Sequence, residues 1–114
     1  MLKAATKKEG RKKEEIMIKV VLVCNGGMST SILANRINEV GAGKYQVEAY
    51  GEQEYAEHLD GAMCVLLGPQ IRYLITDVRK AVGSEIPVES IDPRTYGTMN
   101  AQKVIEQIEK LVNK

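Results

Sequence analysis

The sequence predicts an α/β fold in which helices cover both faces of a parallel sheet. Residues 16–23 and 62–67 are apolar almost throughout, which is typical of strands buried on both faces. A segment with helical spacing of apolar residues follows each of them, and strands that alternate with helices favour a parallel sheet with right-handed crossovers. We therefore expect chemistry at the carboxyl ends of the strands, near the point where the strand order reverses.

The first strand, residues 16–23, leads into a glycine turn and then a helix. It reads IMIKVVLV, and the NGG turn that follows Cys24 stops regular structure. A hydroxyl residue among 29–31 can cap the helix, and Gly41 closes it. We expect three apolar residues to face the core: Leu33, Ile37 and Val40. Strand, turn and helix form the first half of a βαβ unit.

Residues 45–50 alternate in polarity and predict an edge strand, and residues 52–59 predict a short polar helix. The buried strand over 62–67 ends at Gly68-Pro69. The stripe that follows at helical spacing consists of Ile71, Leu74, Ile75, Val78 and Val82.

The last part of the chain predicts a short strand over 87–91 and a turn at Asp92-Pro93. From Asn100 the pattern indicates a terminal helix. Its inward residues are expected to be Val104, Ile105, Ile108, Leu111 and Val112.

Composition narrows the class of protein. With 114 residues, 44% of them hydrophobic and 27% charged, the chain suits one globular domain, and a net charge of +1 gives no reason to expect a nucleic acid partner. We expect a basic, disordered leader over 1–15 and one domain over 16–114. No apolar stretch approaches the ~20 residues of a membrane span, and no signal peptide is evident. We therefore expect a cytoplasmic protein with free thiols.

Cys24 is the candidate reactive residue. It ends a buried strand, and the two glycines of the next loop allow backbone N–H groups to form an anion nest that leads into a helix N-terminus. The same arrangement favours a thiolate nucleophile. The hydroxyls of Ser29, Thr30 and Ser31 can hold the oxygens of a phosphoryl group.

The alternative is that Cys24 is an inert cysteine at a strand end, with the hydroxyl residues as ordinary caps; consecutive glycines and hydroxyls favour the functional interpretation. Cys64, inside AMCVLL, is expected to be core. His58, the only histidine, is expected on the solvated surface. No spacing suggests a metal site, and we expect no cofactor.

Three segments together resemble a known family. VCNGGMSTSILANRI is similar to the active-site segment of lactose/cellobiose-type IIB components of the bacterial phosphoenolpyruvate-dependent sugar phosphotransferase system. VLLGPQIRYL over 65–74 and VESIDPRTYGTMN over 88–100 are similar to later stretches of the same family. The resemblance extends from about residue 16 to the C-terminus, and the pairing of GMSTS with LLGPQ makes it specific.

The resemblance implies a four-stranded, flavodoxin-like parallel sheet in three layers and a phosphotransferase role. Cys24 would accept a phosphoryl group from a phosphohistidine on a IIA protein and pass it to a sugar, such as a β-linked disaccharide, on the membrane IIC permease. The implied phosphate-binding residues are Asn25, Gly26, Gly27, Met28, Ser29, Thr30 and Ser31. Gly68, Pro69 and Gln70 match a family loop that flanks the site. Because a phosphohistidine must reach Cys24, we also expect partner contacts at Met28, Gln70, Ile71 and Tyr73.

Two other functions remain open at this point. A low-molecular-weight tyrosine phosphatase or arsenate reductase also uses a strand-end cysteine with an anion loop, but such enzymes place an arginine six residues after the cysteine, where this chain has Thr30. A flavodoxin-like regulatory module could hold an anion in the nest without a reactive thiol.

Overall fold

The computed structural model describes residues 17–25 and 28–113, in which four parallel strands form one sheet. The strands are β1 (Ile18–Cys24), β2 (Tyr45–Gly51), β3 (Cys64–Leu67) and β4 (Val88–Ser90). The α-helices are α1 (Met28–Gly41), α2 (Ile75–Val82), α3 (Pro93–Gly97) and α4 (Ala101–Val112). Two 3₁₀ segments cover Tyr55–His58 and Pro69–Leu74. The predicted α/β class is confirmed, whereas the leader over 1–15 lies outside the described residues.

The strand order β2-β1-β3-β4 places β1 and β3 at the centre of the sheet. β1 pairs with β2 from Ile18–Tyr45 to Cys24–Gly51, and it pairs with β3 on its other side. β2 is an edge strand, as its alternating sequence predicts. Successive connections from β1 and β2 therefore run in opposite directions along the sheet, and the order reverses at the carboxyl end of β1.

Two apolar layers lie on opposite faces of the sheet, because successive strand residues point to opposite sides. Val20 and Leu22 of β1 pack into the layer that contains α1 and α4. Val21 and Val23 pack into the other layer, beneath the 3₁₀ segments and α2. This division explains why residues 20–23 of β1 are all apolar and fully buried. None of the helices within the described ranges has the length and apolar character that a bilayer crossing requires.

The structure corrects three predicted details. Val40 is 50% exposed, so the buried face of α1 consists of Leu33, Ala34 and Ile37. The stripe that begins at Ile71 is not one α-helix, because Ile71 has non-helical torsion angles (φ −120°, ψ 23°) and α2 starts only at Ile75. The polar segment over 52–59 forms only the short 3₁₀ segment Tyr55–His58.

Candidate functional site

Cys24 is the last residue of central strand β1 and has a free thiol. The residue is 7% exposed. Val20, Leu22 and Cys24 alternate along the strand, so the Cys24 side chain lies on the face of the sheet that carries α1 and α4. The predicted position at the strand-order reversal is confirmed. A nucleophile here sits at the edge where ligands of open α/β sheets usually bind.

The residues after Cys24 lead directly into α1, which begins at Met28. Asn25 is exposed, while Gly26, Gly27 and the Met28 side chain lie outside the described part of the chain. In the first turn of α1, Ser29 is half-buried, Thr30 is buried and Ser31 is exposed: these three residues contribute backbone N–H groups near the helix start. The first four N–H groups of a helix have no partner within the helix, so they remain available to an anion.

A tyrosine that the sequence analysis did not select joins this first turn. The Tyr96 hydroxyl lies 2.7 Å from Thr30 Oγ1 and 3.2 Å from Ser29 Oγ. Thr30 is 1% exposed, so its hydroxyl group depends on an internal partner. The predicted hydroxyl cluster is therefore bonded to a distant part of the chain.

Helix α3 carries Tyr96, and its start explains how the tyrosine reaches the site. Asp92 Oδ2 accepts hydrogen bonds from the backbone N–H groups of Arg94 at 3.0 Å and Thr95 at 3.1 Å. Pro93 occupies the first helical position, where a missing N–H group costs nothing. The turn predicted at Asp92-Pro93 is therefore the start of a helix, and five residues are too few for apolar periodicity to reveal it.

A second loop borders the site after β3. The Gly68 N–H group donates to the Val23 carbonyl at 3.0 Å, which ties this loop to the end of β1. A methyl group on Gly68 would lie 3.1 Å from Gln70 Oε1 and 3.9 Å from Tyr96 Cε1. The loop after β3 and helix α3 therefore approach each other at Gly68. This glycine is hydrogen-bonded to Val23, the residue before Cys24.

The side chains predicted to contact a partner differ in their exposure to solvent. Gln70 is exposed and Tyr73 is 75% exposed. Ile71, by contrast, is 1% exposed and packs in the apolar layer on the α2 side of the sheet. The expectation for Ile71 is therefore wrong: its side chain anchors the 3₁₀ segment and is not available to a partner.

The other singled-out residues lie away from this chemistry. Cys64 is fully buried, and burial together with the Glu89 charge raises its thiol pKa to about 12, which confirms it as core. The His58 ring stacks on Tyr50 with 3.8 Å between the ring centroids and is half-buried, so it is less solvated than predicted.

Comparison with known proteins gives consistent relatives. Residues 19–107 match the family described as "PTS system, Lactose/Cellobiose specific IIB subunit". The oligo-beta-mannoside-specific EIIB component of Bacillus subtilis is 34% identical, over 80% of this chain and 92% of that protein. The galactose-specific EIIB component of Lactococcus lactis is 32% identical, over 82% of this chain and 95% of that protein. The solution structure of a cellobiose-specific IIB component from Borrelia burgdorferi superposes with a TM-score of 0.68 at 35% identity, covering 85% of this chain and 93% of that one.

Proposed function

The chain belongs to the lactose/cellobiose-specific IIB family of the sugar phosphotransferase system, and we propose that Cys24 is its phosphoryl carrier. The observation that carries the proposal is the position of Cys24 at the carboxyl end of β1, four positions before Met28, where α1 begins. Cys64, the second cysteine of the chain, is fully buried. A carrier thiol must meet two partners in turn, which a fully buried side chain cannot do.

The proposed transfer has two balanced steps. In the first, the Cys24 sulfur attacks the phosphorus of a phosphohistidine on a IIA protein; the N–P bond breaks, an S–P bond forms, and the thiol proton ends on the imidazole. In the second, a hydroxyl oxygen of a sugar on the IIC permease attacks the same phosphorus; the S–P bond breaks, and the hydroxyl proton returns to the thiol. No metal ion or cofactor is needed for the balance.

The loop that follows Cys24 supplies the proposed phosphoryl site. Its proposed residues are 25–31, of which 28–31 open a 14-residue helix whose free N–H groups and positive end favour a dianion. Ser31 can add a hydroxyl donor, since its side chain is exposed, whereas the Ser29 Oγ lies 3.2 Å from the Tyr96 hydroxyl. Thr30 contributes its N–H group in this proposal, because Tyr96 already engages its hydroxyl.

The proposed docking surface for the IIA protein and the IIC permease surrounds this loop. Tyr73 and Gln70 are exposed on the neighbouring 3₁₀ segment and are suited to contact, together with Met28. We propose that the exchange occurs in the cytoplasm, where a thiol stays reduced, and that the sugar is β-linked. The relatives are named for different sugars, oligo-beta-mannoside and galactose among them, so the family does not by itself specify which one.

The test is phosphoryl labelling with a matched pair of cysteine variants. The purified protein is mixed with phosphorylated cognate IIA, and the label on each protein is followed by mass spectrometry. We expect stoichiometric labelling of the wild type and of Cys64→Ala, and none of Cys24→Ser, whose small change in volume leaves the fold intact. Labelling of Cys24→Ser, or loss of labelling in a folded Cys64→Ala, would contradict the proposal.

A further inference from the structure

Tyr96 connects three separate parts of the carboxyl edge of the sheet. It lies on α3, after the last strand, and is 7% exposed. Its hydroxyl contacts Thr30 and Ser29 in the first turn of α1, while its ring packs beside Gly68 after β3. The tyrosine thus contacts the first turn of α1, lies near the loop after β3, and belongs to the apolar layer on the same face of the sheet as Cys24.

The geometry of these contacts constrains the start of α1. Thr30 and Ser29 are separated from Tyr96 by 66 and 67 positions in sequence, so the two hydrogen bonds tie α1 to a remote element. α3 is itself held by the Asp92 cap and by Pro93. The first turn of α1 therefore cannot rotate or shift along its axis without losing the hydrogen bond of the buried Thr30 hydroxyl.

We propose that Tyr96 is a positioning residue for phosphoryl transfer at Cys24: its hydroxyl fixes the first turn of α1 so that the N–H groups of that turn point to the phosphoryl group. This inference rests on the proposed carrier function. Donors that are already oriented stabilise the charge of the transition state without reorganising during the reaction. Removal of the constraint leaves the nucleophile and the rest of the helix intact, but the first turn of α1 loses its fixed geometry.

The test compares Tyr96→Phe with Tyr55→Phe. Tyr55 is also a buried tyrosine, but it packs in the layer on the opposite face of the sheet, where its hydroxyl makes no contact with α1. With phosphorylated IIA as donor, we expect Tyr96→Phe to lower the transfer rate at saturating donor about tenfold with little change in KM, because docking is retained and loop geometry is lost. Final labelling stays stoichiometric, and Tyr55→Phe transfers like the wild type.

A second variant removes the other hydroxyl of the same hydrogen bond, that of Thr30. Thr30→Val keeps the side-chain shape and removes the hydroxyl, so it should slow transfer as Tyr96→Phe does, and the double variant should be no slower than either single one. Amide NMR signals of residues 29–31 should shift in both variants and not in Tyr55→Phe. If Tyr96→Phe does not fold, Thr30→Val carries the test.

The outcomes separate this inference from the carrier proposal. If both variants are folded and transfer within twofold of the wild type, or if they raise KM alone, the positioning role is wrong while the carrier function stands. If the wild type itself accepts no label from phosphorylated IIA, the carrier proposal fails first.

Discussion

The two cysteines show how position on a strand decides the chemistry of a residue. Both lie on the same face of the sheet, but Cys64 pairs with Val20, four residues before Cys24 along β1. At about 3.3 Å per residue, the two cysteines are about 13 Å apart along the strand direction, which is too far for a disulfide. The sequence could predict this difference, because a loop with glycines and hydroxyl residues follows Cys24 and an apolar run surrounds Cys64.

We expect a thiol reagent at neutral pH to modify Cys24 alone in the folded protein. Burial, and secondarily the Glu89 charge, raises the pKa of Cys64 to about 12, so almost none of it is thiolate. Intact mass measurements should show one adduct for the native protein, two in denaturant, and none for native Cys24→Ser. An adduct mapped to Cys64 without unfolding would refute the buried assignment.

The hydrogen bond between Tyr96 and Thr30 could not be predicted from the sequence. The sequence places Thr30 in a hydroxyl cluster that follows Cys24, the proposed carrier cysteine, and a hydroxyl there suggests contact with an anion. The partner of that hydroxyl lies 66 positions away on a helix too short to show a period. Local patterns carry no information about such a pair, so only the assembled fold shows that the Thr30 side chain is engaged internally.

Elements with a regular apolar pattern were predictable, whereas the 3₁₀ segment that precedes α2 was not. β1 and β3 follow from apolar runs, and α4 from its regular stripe and its Asn100 cap, which accepts from the Lys103 N–H group at 3.1 Å. The segment after β3 was predicted as one helix, but Pro69 and Gln70 open a 3₁₀ segment that delays α2 to Ile75. Apolar spacing alone does not separate a 3₁₀ segment from the first turn of an α-helix.

The end of α1 offers a test of how tightly it packs on β2. A methyl group on Gly41 would collide with the ring of Tyr45, whereas one on Gly97, also a helical glycine, would meet no atom within 4 Å. We expect Gly41→Ala to lower the free energy of unfolding by about 1–3 kcal/mol. Gly97→Ala should be neutral or stabilising by up to ~1 kcal/mol, since alanine favours helix. Urea midpoints at constant m-value give the comparison, and equal effects at the two sites would rule out the packing explanation.

The link between α4 and the start of β2 should make stability depend on pH at the acid end. Hydrogen bonds from Tyr45 and then Lys44, whose Nζ lies 2.9 Å from Glu109 Oε2, lower the pKa of Glu109 below its ordinary 4.5. A lowered pKa in the folded state adds stability above pH 4.5, and this stability is lost as the pH falls through the lowered value. Glu109→Gln should therefore reduce Tm at pH 6 and flatten its fall towards pH 3.

The control for this titration is Glu106→Gln, on an exposed position of the same helix. It removes one carboxylate from α4 without touching Tyr45 or Lys44. We expect its acid profile to follow the wild type. If Glu106→Gln and Glu109→Gln change the profile equally, the effect arises from net charge and not from the link to β2.

At the scale of the whole molecule, the parallel sheet assembles the site from loops that are distant in sequence. The carboxyl ends of β1 and β3 lie side by side, which brings Gly68 next to the end of β1, where its N–H group donates to the Val23 carbonyl. Both loops could be predicted, because strand order in an α/β sheet directs chemistry to this edge. The third contribution, α3 after β4, could not be predicted, since nothing local indicates that Tyr96 reaches the first turn of α1.

The same assembly separates a phosphoryl carrier from a phosphatase. A cysteine phosphatase needs a guanidinium in the loop to bind the equatorial oxygens in a bidentate manner, and an acid to protonate the leaving group. Thr30 stands at the position where that arginine would be, and it is buried against Tyr96. Asp92 is the candidate acid, but two backbone N–H groups already occupy its carboxylate at the start of α3.

We therefore expect the protein to be a poor hydrolase of aryl phosphates while it accepts phosphoryl groups from a phosphorylated IIA protein. The proposed phosphoryl site relies on backbone N–H groups and neutral hydroxyls, which supply neither the charge nor the acid that repeated turnover requires. The measurement is release of p-nitrophenol from p-nitrophenyl phosphate, beside a low-molecular-weight phosphatase as positive control and Cys24→Ser as blank. Hydrolysis at the level of the blank, with stoichiometric labelling by phosphorylated IIA in a parallel sample, is the expected result. Sustained hydrolysis that disappears in Cys24→Ser would instead assign the protein to the phosphatase class, because only a thiol nucleophile could account for that loss.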